Sequence, residues 1–399
     1  MRIAYLVPEF PAQTHVFFWR EIQALKRIGA SVHLLSTRHP QQLSRHAFAA
    51  AAQKETHYLF PPPLPSSLFY LALHPLLFLR MLQYILRVEN TALKDKLKLI
   101  GLCLCAADLL RYASQHQIDH VHGHSCANVG HLLALASLSK QLPFSLTLHG
   151  DLPVYGTGHR AKFAEARFVA VVTYALQKQV QDALGFPISF LPVIRMGVDV
   201  DRFKPIAQTA EGPLQLITVA RLAACKGHVY ALRAMRAAID QGAAVEYSIV
   251  GEGEMRAELE AEILALGLTG KARLLGTAGE DEVLAFLQKA DAFVLSSVGL
   301  GEAAPVSVME AMACGLPVIS SIIGGTPEMI QPGEDGYLIA QEDVAGLARA
   351  FVELARDREL RQRLGQQARL KAVKSFSAQM FAQQFYDKIQ QSAQGQSVS

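Results

Sequence analysis

Short apolar runs alternate with longer stretches of helical spacing along almost the whole chain. In the first half, Ile3–Val7, Val32–Leu35, His120–His122, Ser145–His149 and Phe168–Val172 read as strands, with Glu21–Ile28 and His131–Lys140 as helices between them. In the second half the rhythm is cleaner. Strands are expected at Gln215–Val219, Val245–Val250, Arg273–Leu275, Ala292–Leu295, Val318–Ser320 and Gly336–Ile339, and helices at Met255–Leu266, Asp281–Lys289 and Ala378–Ser392. Strand–helix alternation of this kind is the mark of parallel βαβ units, hence of an α/β fold with doubly wound sheets.

Prolines at 192, 205 and 213 bracket a strand-poor stretch that reads as an interdomain linker. The length of 399 residues exceeds what one core organises. Two domains are therefore expected, 1–200 and 201–377, with the helix at 378–393 able to pack back on the first. Hydrophobic residues at 51% against 18% charged supply ample core and exclude a largely disordered chain. A net charge of +3, without a basic tail or stripe, gives no reason to expect a nucleic-acid partner.

The five cysteines have neither zinc-site spacing nor the even count of a disulfide framework, which suits a reducing cytoplasm. The apolar run Ile3–Val7 is too short for a signal-peptide core. Leu68–Leu86, the best candidate for a membrane span, is interrupted by His74, Pro75 and Arg80.

Candidate chemistry gathers where second-half strands give way to helices, the place where doubly wound sheets bind ligands. Arg221, Lys226 and Gly227 follow the strand ending at Val219; two cations beside a glycine suit a diphosphate, although a solvated surface loop would look the same. Gly251-Glu252-Gly253 follows Val250, either a tight turn or a loop whose N–H groups approach a ligand. Glu302 and Glu310 have seven residues between them, among them Pro305, which fits a first helical turn. The N–H groups of Val306 and Ser307 would then point out of the helix N-terminus at a phosphate. Glu302 lies before that turn and Glu310 inside the helix, so the two carboxylates address different parts of one ligand rather than act as an acid–base pair on one bond. Gly324-Gly325-Thr326-Pro327-Glu328 enters the next helix.

Taken together, Arg221…Lys226-Gly227, the Glu302-to-Glu310 stretch with Ala311-Met312-Ala313-Cys314-Gly315-Leu316-Pro317-Val318, and Gly324 to Glu328 resemble the family 4 glycosyltransferases of the GT-B fold. The resemblance covers essentially the whole second half. It implies two Rossmann-like domains facing across a cleft, and a retaining, metal-independent hexosyltransferase that takes a nucleotide diphosphate sugar, UDP- or GDP-linked, without a cofactor. Arg221 and Lys226 would neutralise the donor diphosphate, Glu310 bind the ribose hydroxyls, and Glu302 face the transferred sugar. In the first half, Pro11-Ala12-Gln13-Thr14-His15-Val16-Phe17 with Arg20-Glu21 looks like the subgroup that builds exopolysaccharides and glycoconjugates, and His149 matches the family histidine beside the donor sugar. The Gly-Gly loop that many members carry after the first strand is absent here, and Met196 stands where Asn or Asp often precedes Gly197-Val198-Asp199.

Breaking the bond from the anomeric carbon to the β-phosphate puts negative charge on the leaving diphosphate and positive charge on the sugar. Fixed cations and helix N–H groups answer the first, and a carboxylate such as Glu302 or the His149 backbone carbonyl the second. Asp199-Val200-Asp201 has the Asp-x-Asp form of metal-dependent transferases but lacks their strand context. His120, His122 and His124 would share one strand face, where a polar cleft edge competes with a zinc site; no acidic or cysteine partner accompanies them in sequence.

The first half is left for the acceptor, a saccharide or a lipid-linked one, in polysaccharide or glycolipid biosynthesis. Between Leu68 and Lys98, apolar positions are joined by Arg80, Arg87, Lys94, Lys96 and Lys98 against Glu89 and Asp95. This segment is either a helical lid on the core or a basic amphipathic surface for anionic lipid on the inner face of the membrane. Two rival functions keep the fold and lose the transfer: a GT-B sugar-nucleotide epimerase and a non-catalytic nucleotide-sugar-binding subunit.

Overall fold

The computed structural model describes residues 1–41, 44–89, 91–206, 212–299 and 302–393. The chain divides into two compact units, Met1–Arg195 with Phe381–Ser399, and Met196–Met380.

The first unit holds a parallel sheet of six strands: β1 Arg2–Glu9, β2 Ser31–Arg38, β3 His57–Tyr58, β4 His120–His124, β5 Phe144–Leu148 and β6 Val169–Val171. Their order across the sheet is β3-β2-β1-β4-β5-β6. The second unit repeats the plan with β7 Leu214–Val219, β8 Val245–Val250, β9 Ala272–Gly276, β10 Ala292–Leu295, β11 Val318–Ser321 and β12 Gly336–Ile339. Its order is β12-β11-β10-β7-β8-β9, the same topology seen from the other edge. Both are Rossmann-type sheets whose strand order reverses once, between β1 and β4 and between β7 and β10. Loops diverge at that point and leave a crevice at the carboxyl ends of the strands.

The central strands β4, β5 and β10 are buried at every residue, because helices cover both faces of a parallel sheet. In the second unit one apolar cluster includes Leu216, Tyr247, Ile249 and Phe351; another, with Phe293, Met309, Met312 and Phe376, covers the opposite face. The helix Ala378–Ala393 lays Phe385 against His122 with ring centroids 4.3 Å apart.

Two stretches differ from the sequence expectation. The segment read as a polar linker buries Leu191, Ile194, Met196, Val198 and Phe203, and Val198 bridges to Ser377; residues 207–211 lie outside the described part. Leu68 to Lys98, read as one segment, forms parts of three helices: Leu64–Leu73, Pro75–Arg87 and Leu93–Gln115. Among the described residues no single helix is long and apolar enough to cross a membrane. The first two of these together have the length and composition, but they bend by 101°.

Candidate functional site

In the second unit three loops meet at the carboxyl ends of β7 and β10. The first, after β7, carries Arg221 in an exposed position and turns through a short 3-10 helix, Ala224–Lys226. Gly227 ends that turn at φ +61°, and a Cβ there would stand 2.0 Å from the Ser296 carbonyl oxygen, so only glycine lets the two loops touch. Ser296 Oγ donates to Gly227 O at 2.9 Å, and Val298 N to Cys225 O at 2.8 Å. Buried His228 contacts Arg221 O through Nε2 at 2.9 Å and fixes the backbone under the arginine.

The second loop follows β10 and brings Glu302 inward. Its carboxylate accepts from Lys226 Nζ and, at 2.9 Å, from Ser297 Oγ. The helix Val306–Ala313 then begins at Pro305, which has φ −65° and serves as its N-cap. Val306 and Ser307 occupy its first two positions, whose N–H groups lack intrahelical acceptors. Glu310, four residues beyond Val306, lies on the same helix face and is buried. Glu302 thus precedes the helix and Glu310 lies within it.

The third loop, Gly324-Gly325, packs on the second. Gly324 has φ +52°, and a Cβ on it would fall 1.4 Å from Glu302 O; Gly325 N donates to Ala303 O at 2.6 Å. These glycines hold the Glu302 backbone in place.

Gly251 and Gly253 are explained by packing rather than by an open approach to a ligand. Cβ atoms there would meet Ala220 O at 1.9 Å and Leu222 O at 2.3 Å. The Gly251 N–H donates to Gly276 O at 2.9 Å. Their smallness seats this loop beneath Arg221. Asp199, of the Asp-x-Asp sequence, accepts at Oδ1 from the N–H groups of Asp201 and Arg202, a turn-forming role.

His149 belongs to the first unit, one residue past β5. Its Nε2 lies 2.9 Å from Nδ1 of His124 at the end of β4. Behind them, His122 bridges Ser145 Oγ at 2.7 Å and Thr147 Oγ1 at 2.9 Å, and His120 meets Ser145 Oγ at 2.8 Å. This histidine row is buried in the sheet interior, not on a cleft edge. Burial pushes the His120 and His149 imidazoles down to about 3 and those of His122 and His124 well below the ordinary value.

Tertiary structure also supplies the acidic neighbour that the local sequence lacks. Glu21 Oε2 sits 3.8 Å from His124 Nε2 and accepts from Tyr5 OH at 2.5 Å. Burial raises the Glu21 carboxyl to about 7. Sequence reasoning also missed Ser296 and Ser297, although their place directly after a strand at the switch point is a readable signal. Among the described residues no group of three or more His, Cys, Asp or Glu side chains could hold a metal ion.

Two Rossmann-type units with loop clusters at their switch points define an α/β protein of the GT-B glycosyltransferase fold. Anabaena HepE, solved in complex with UDP, superposes with a TM-score of 0.75 at 19% identity over 98% of this chain and 100% of that one. A sucrose-phosphate synthase from Thermosynechococcus elongatus does so with a TM-score of 0.73 at 18% identity over 98% of each chain.

Residues 199–371 match the family of glycosyl transferases group 1. The amylovoran biosynthesis glycosyltransferase AmsK of Erwinia amylovora is 28% identical over 381 residues, 89% of this chain and 91% of that protein. A protein of Salmonella typhimurium named for colanic acid biosynthesis, WcaL, is 36% identical over 214 residues, and the match spans about half of each chain, 52% and 53%.

Proposed function

We propose that the chain is a retaining, metal-independent glycosyltransferase. It would move a hexose from a UDP- or GDP-sugar to a saccharide or lipid-linked acceptor in polysaccharide or glycolipid biosynthesis, working in the cytoplasm and peripherally at the inner face of the membrane. The observation that carries the reading is the convergence of Arg221, Lys226, Glu302 and the N-terminus of the helix Val306–Ala313 at one switch point. That arrangement offers two cations and free N–H groups to a diphosphate, and a buried carboxylate to the group attached to it.

In the proposed reaction the bond from the anomeric carbon to the β-phosphate oxygen breaks, its electron pair leaves with the nucleotide diphosphate, and an acceptor hydroxyl oxygen bonds to that carbon as its proton passes to the leaving phosphate. Arg221, Lys226 and the N–H groups of Val306 and Ser307 meet the growing negative charge; preorganised donors of this kind are worth roughly 3–4 kcal/mol each in the transition state. Glu302, oriented by Lys226 and Ser297, stabilises the positive sugar. Glu310 takes the ribose hydroxyls, while Gly251 and Gly253 keep the arginine loop seated. The resemblance also assigns His149 to the donor sugar, and that assignment is part of the proposal.

The names of AmsK and the colanic acid relative favour an exopolysaccharide product, and HepE, solved with UDP and with UDP-glucose, favours a uridine donor. The test is a panel of UDP-, GDP- and ADP-sugars, reading binding and turnover with membrane extract as acceptor. Nucleotide release that depends on acceptor is expected. If no sugar nucleotide binds, or if Glu310→Ala leaves binding unchanged, the donor site is misassigned.

A further inference from the structure

The helices Leu64–Leu73 and Pro75–Arg87 and the start of Leu93–Gln115 are apolar on two sides. Their inner sides bury Leu71, Leu77, Met81, Ile85 and Leu99. Tyr84 OH contacts His131 Nδ1 at 2.8 Å, which fixes the second helix against its neighbour in the same unit. Their outer sides expose large apolar side chains to an unusual degree: Phe69 is 66% exposed, Leu76 70%, Leu86 74% and Leu93 75%. Scattered single apolar residues need no explanation, but a contiguous series on adjoining helices marks a contact surface.

Charge selects the partner. Residues 60–100 contain five cations (Arg80, Arg87, Lys94, Lys96 and Lys98) against Glu89 and Asp95. This surplus of three equals the net charge of the entire chain, so all other residues balance to zero. A second copy docked on this face would oppose like charges, whereas an anionic bilayer complements them and accepts the apolar side chains as well. The 101° bend between the two helices rules out a straight span and suits elements lying along an interface.

We propose that this face is an interfacial docking surface for anionic lipid, with Phe69, Leu76, Leu86 and Leu93 in the acyl boundary and the cations at headgroup level. The inference deepens the peripheral-membrane part of the function proposed above, yet it can fail without it.

The test floats the full-length protein with vesicles of phosphatidylcholine alone and of phosphatidylcholine mixed with phosphatidylglycerol. Flotation is expected with the anionic vesicles and should fall with added salt. Phe69→Ser and Leu76→Ser should each weaken it roughly tenfold or more, and Arg87→Gln and Lys94→Gln about fivefold each. Because all four side chains are exposed, thermal unfolding and UDP binding should stay at parent values. Equal flotation on both vesicle types, or variants that float like the parent, would overturn the proposal. So would a dimer in sedimentation velocity that Phe69→Ser disperses, since the face would then belong to a second copy. Loss of UDP binding in the parent, with flotation intact, would instead strike the donor-site reading alone.

Discussion

His124 Nδ1 lies 2.9 Å from His149 Nε2, and Glu21 stands on the far side of His124. Burial keeps both imidazoles neutral at physiological pH, so one ring donates and the other accepts. The end of β5 is thereby coupled through β4 to the first helix, Val16–Arg27, and to Tyr5 on β1.

This coupling gives a pH prediction with a definite sign. Glu21 titrates at about 7 in the folded chain, against ~4.3 in an unfolded one. Between those values the folded state keeps a proton that the unfolded state has released. The Glu21 contribution to stability therefore declines as pH rises through this window and is level above it. The buried histidines beside it, His122, His124 and His149, together with His15, act in the opposite direction, losing stability as pH falls below ~6.5. They are common to parent and variant. Glu21→Gln keeps an acceptor for Tyr5 and should gain on the parent, by on the order of 3 kcal/mol, between pH ~4.3 and ~7. Urea midpoints of both proteins across that range decide it; parallel curves would show that Glu21 does not titrate there.

Lys226 and Glu302 form the central ion pair of the second unit's loop cluster. Under the proposed function, Lys226→Ala should lower kcat/KM with the donor by ~100- to 1,000-fold. Glu302→Gln preserves the polar contacts with Lys226 and Ser297 but removes the negative charge. It should leave UDP binding near the parent value and slow turnover by a comparable factor. Calorimetry with UDP and single-turnover assays separate the two. Equal loss of binding in both variants would mean that Glu302 acts by positioning Lys226 for the diphosphate and not on the sugar.

Much of this organisation is legible in sequence because the strands are compact apolar runs. Val245–Val250, Ala292–Leu295 and Gly336–Ile339 appear with the expected bounds. The strand His57–Tyr58 has only two residues, too few for a periodicity to register. In the segment from Leu64 to Gln115 the interruption at His74 and Pro75 marks one break, but apolar residues on both sides of its helices mean that spacing alone does not show the other ends. At the site, Arg221, Lys226, Glu302 and Glu310 announce themselves as polar residues in loops or apolar surroundings. Glu21 does not, because six elements separate it from His124 along the chain and the two meet only after β1 and β4 pair. The part played by Gly324 was hidden for the same reason, since its constraint comes from the backbone of a different loop.

Gly324 and Gly242 make a controlled comparison. Both have positive φ, +52° and +85°, but a Cβ at Gly242 meets nothing within 4 Å, whereas at Gly324 it collides with Glu302 O. Gly242→Ala should cost only the backbone term, about 1–2 kcal/mol. Gly324→Ala must also push the Glu302 loop away, so it should be the more destabilising and should reduce donor turnover, which Gly242→Ala leaves alone. Denaturant unfolding and turnover of both variants check this; equal costs would mean that the Gly324 loop moves aside freely.

The helix Ala378–Ala393 closes the first unit's core from the end of the chain. Phe385 is 1% exposed and lies edge-on to His122, while Ile389 is fully buried. Truncating the phenyl ring removes its apolar burial and leaves a cavity beside a polar row already satisfied by Ser145 and Thr147. Phe385→Ala should therefore cost ~3–5 kcal/mol. Phe385→Leu, which keeps most of the volume, should cost less than half of that. The added space also admits water to His122, whose imidazole is held neutral by desolvation. The variant should accordingly show a raised His122 pKa in an NMR titration, with the imidazole beginning to protonate at mildly acidic pH. An unshifted titration together with a full stability loss would mean that the cavity collapses instead of hydrating.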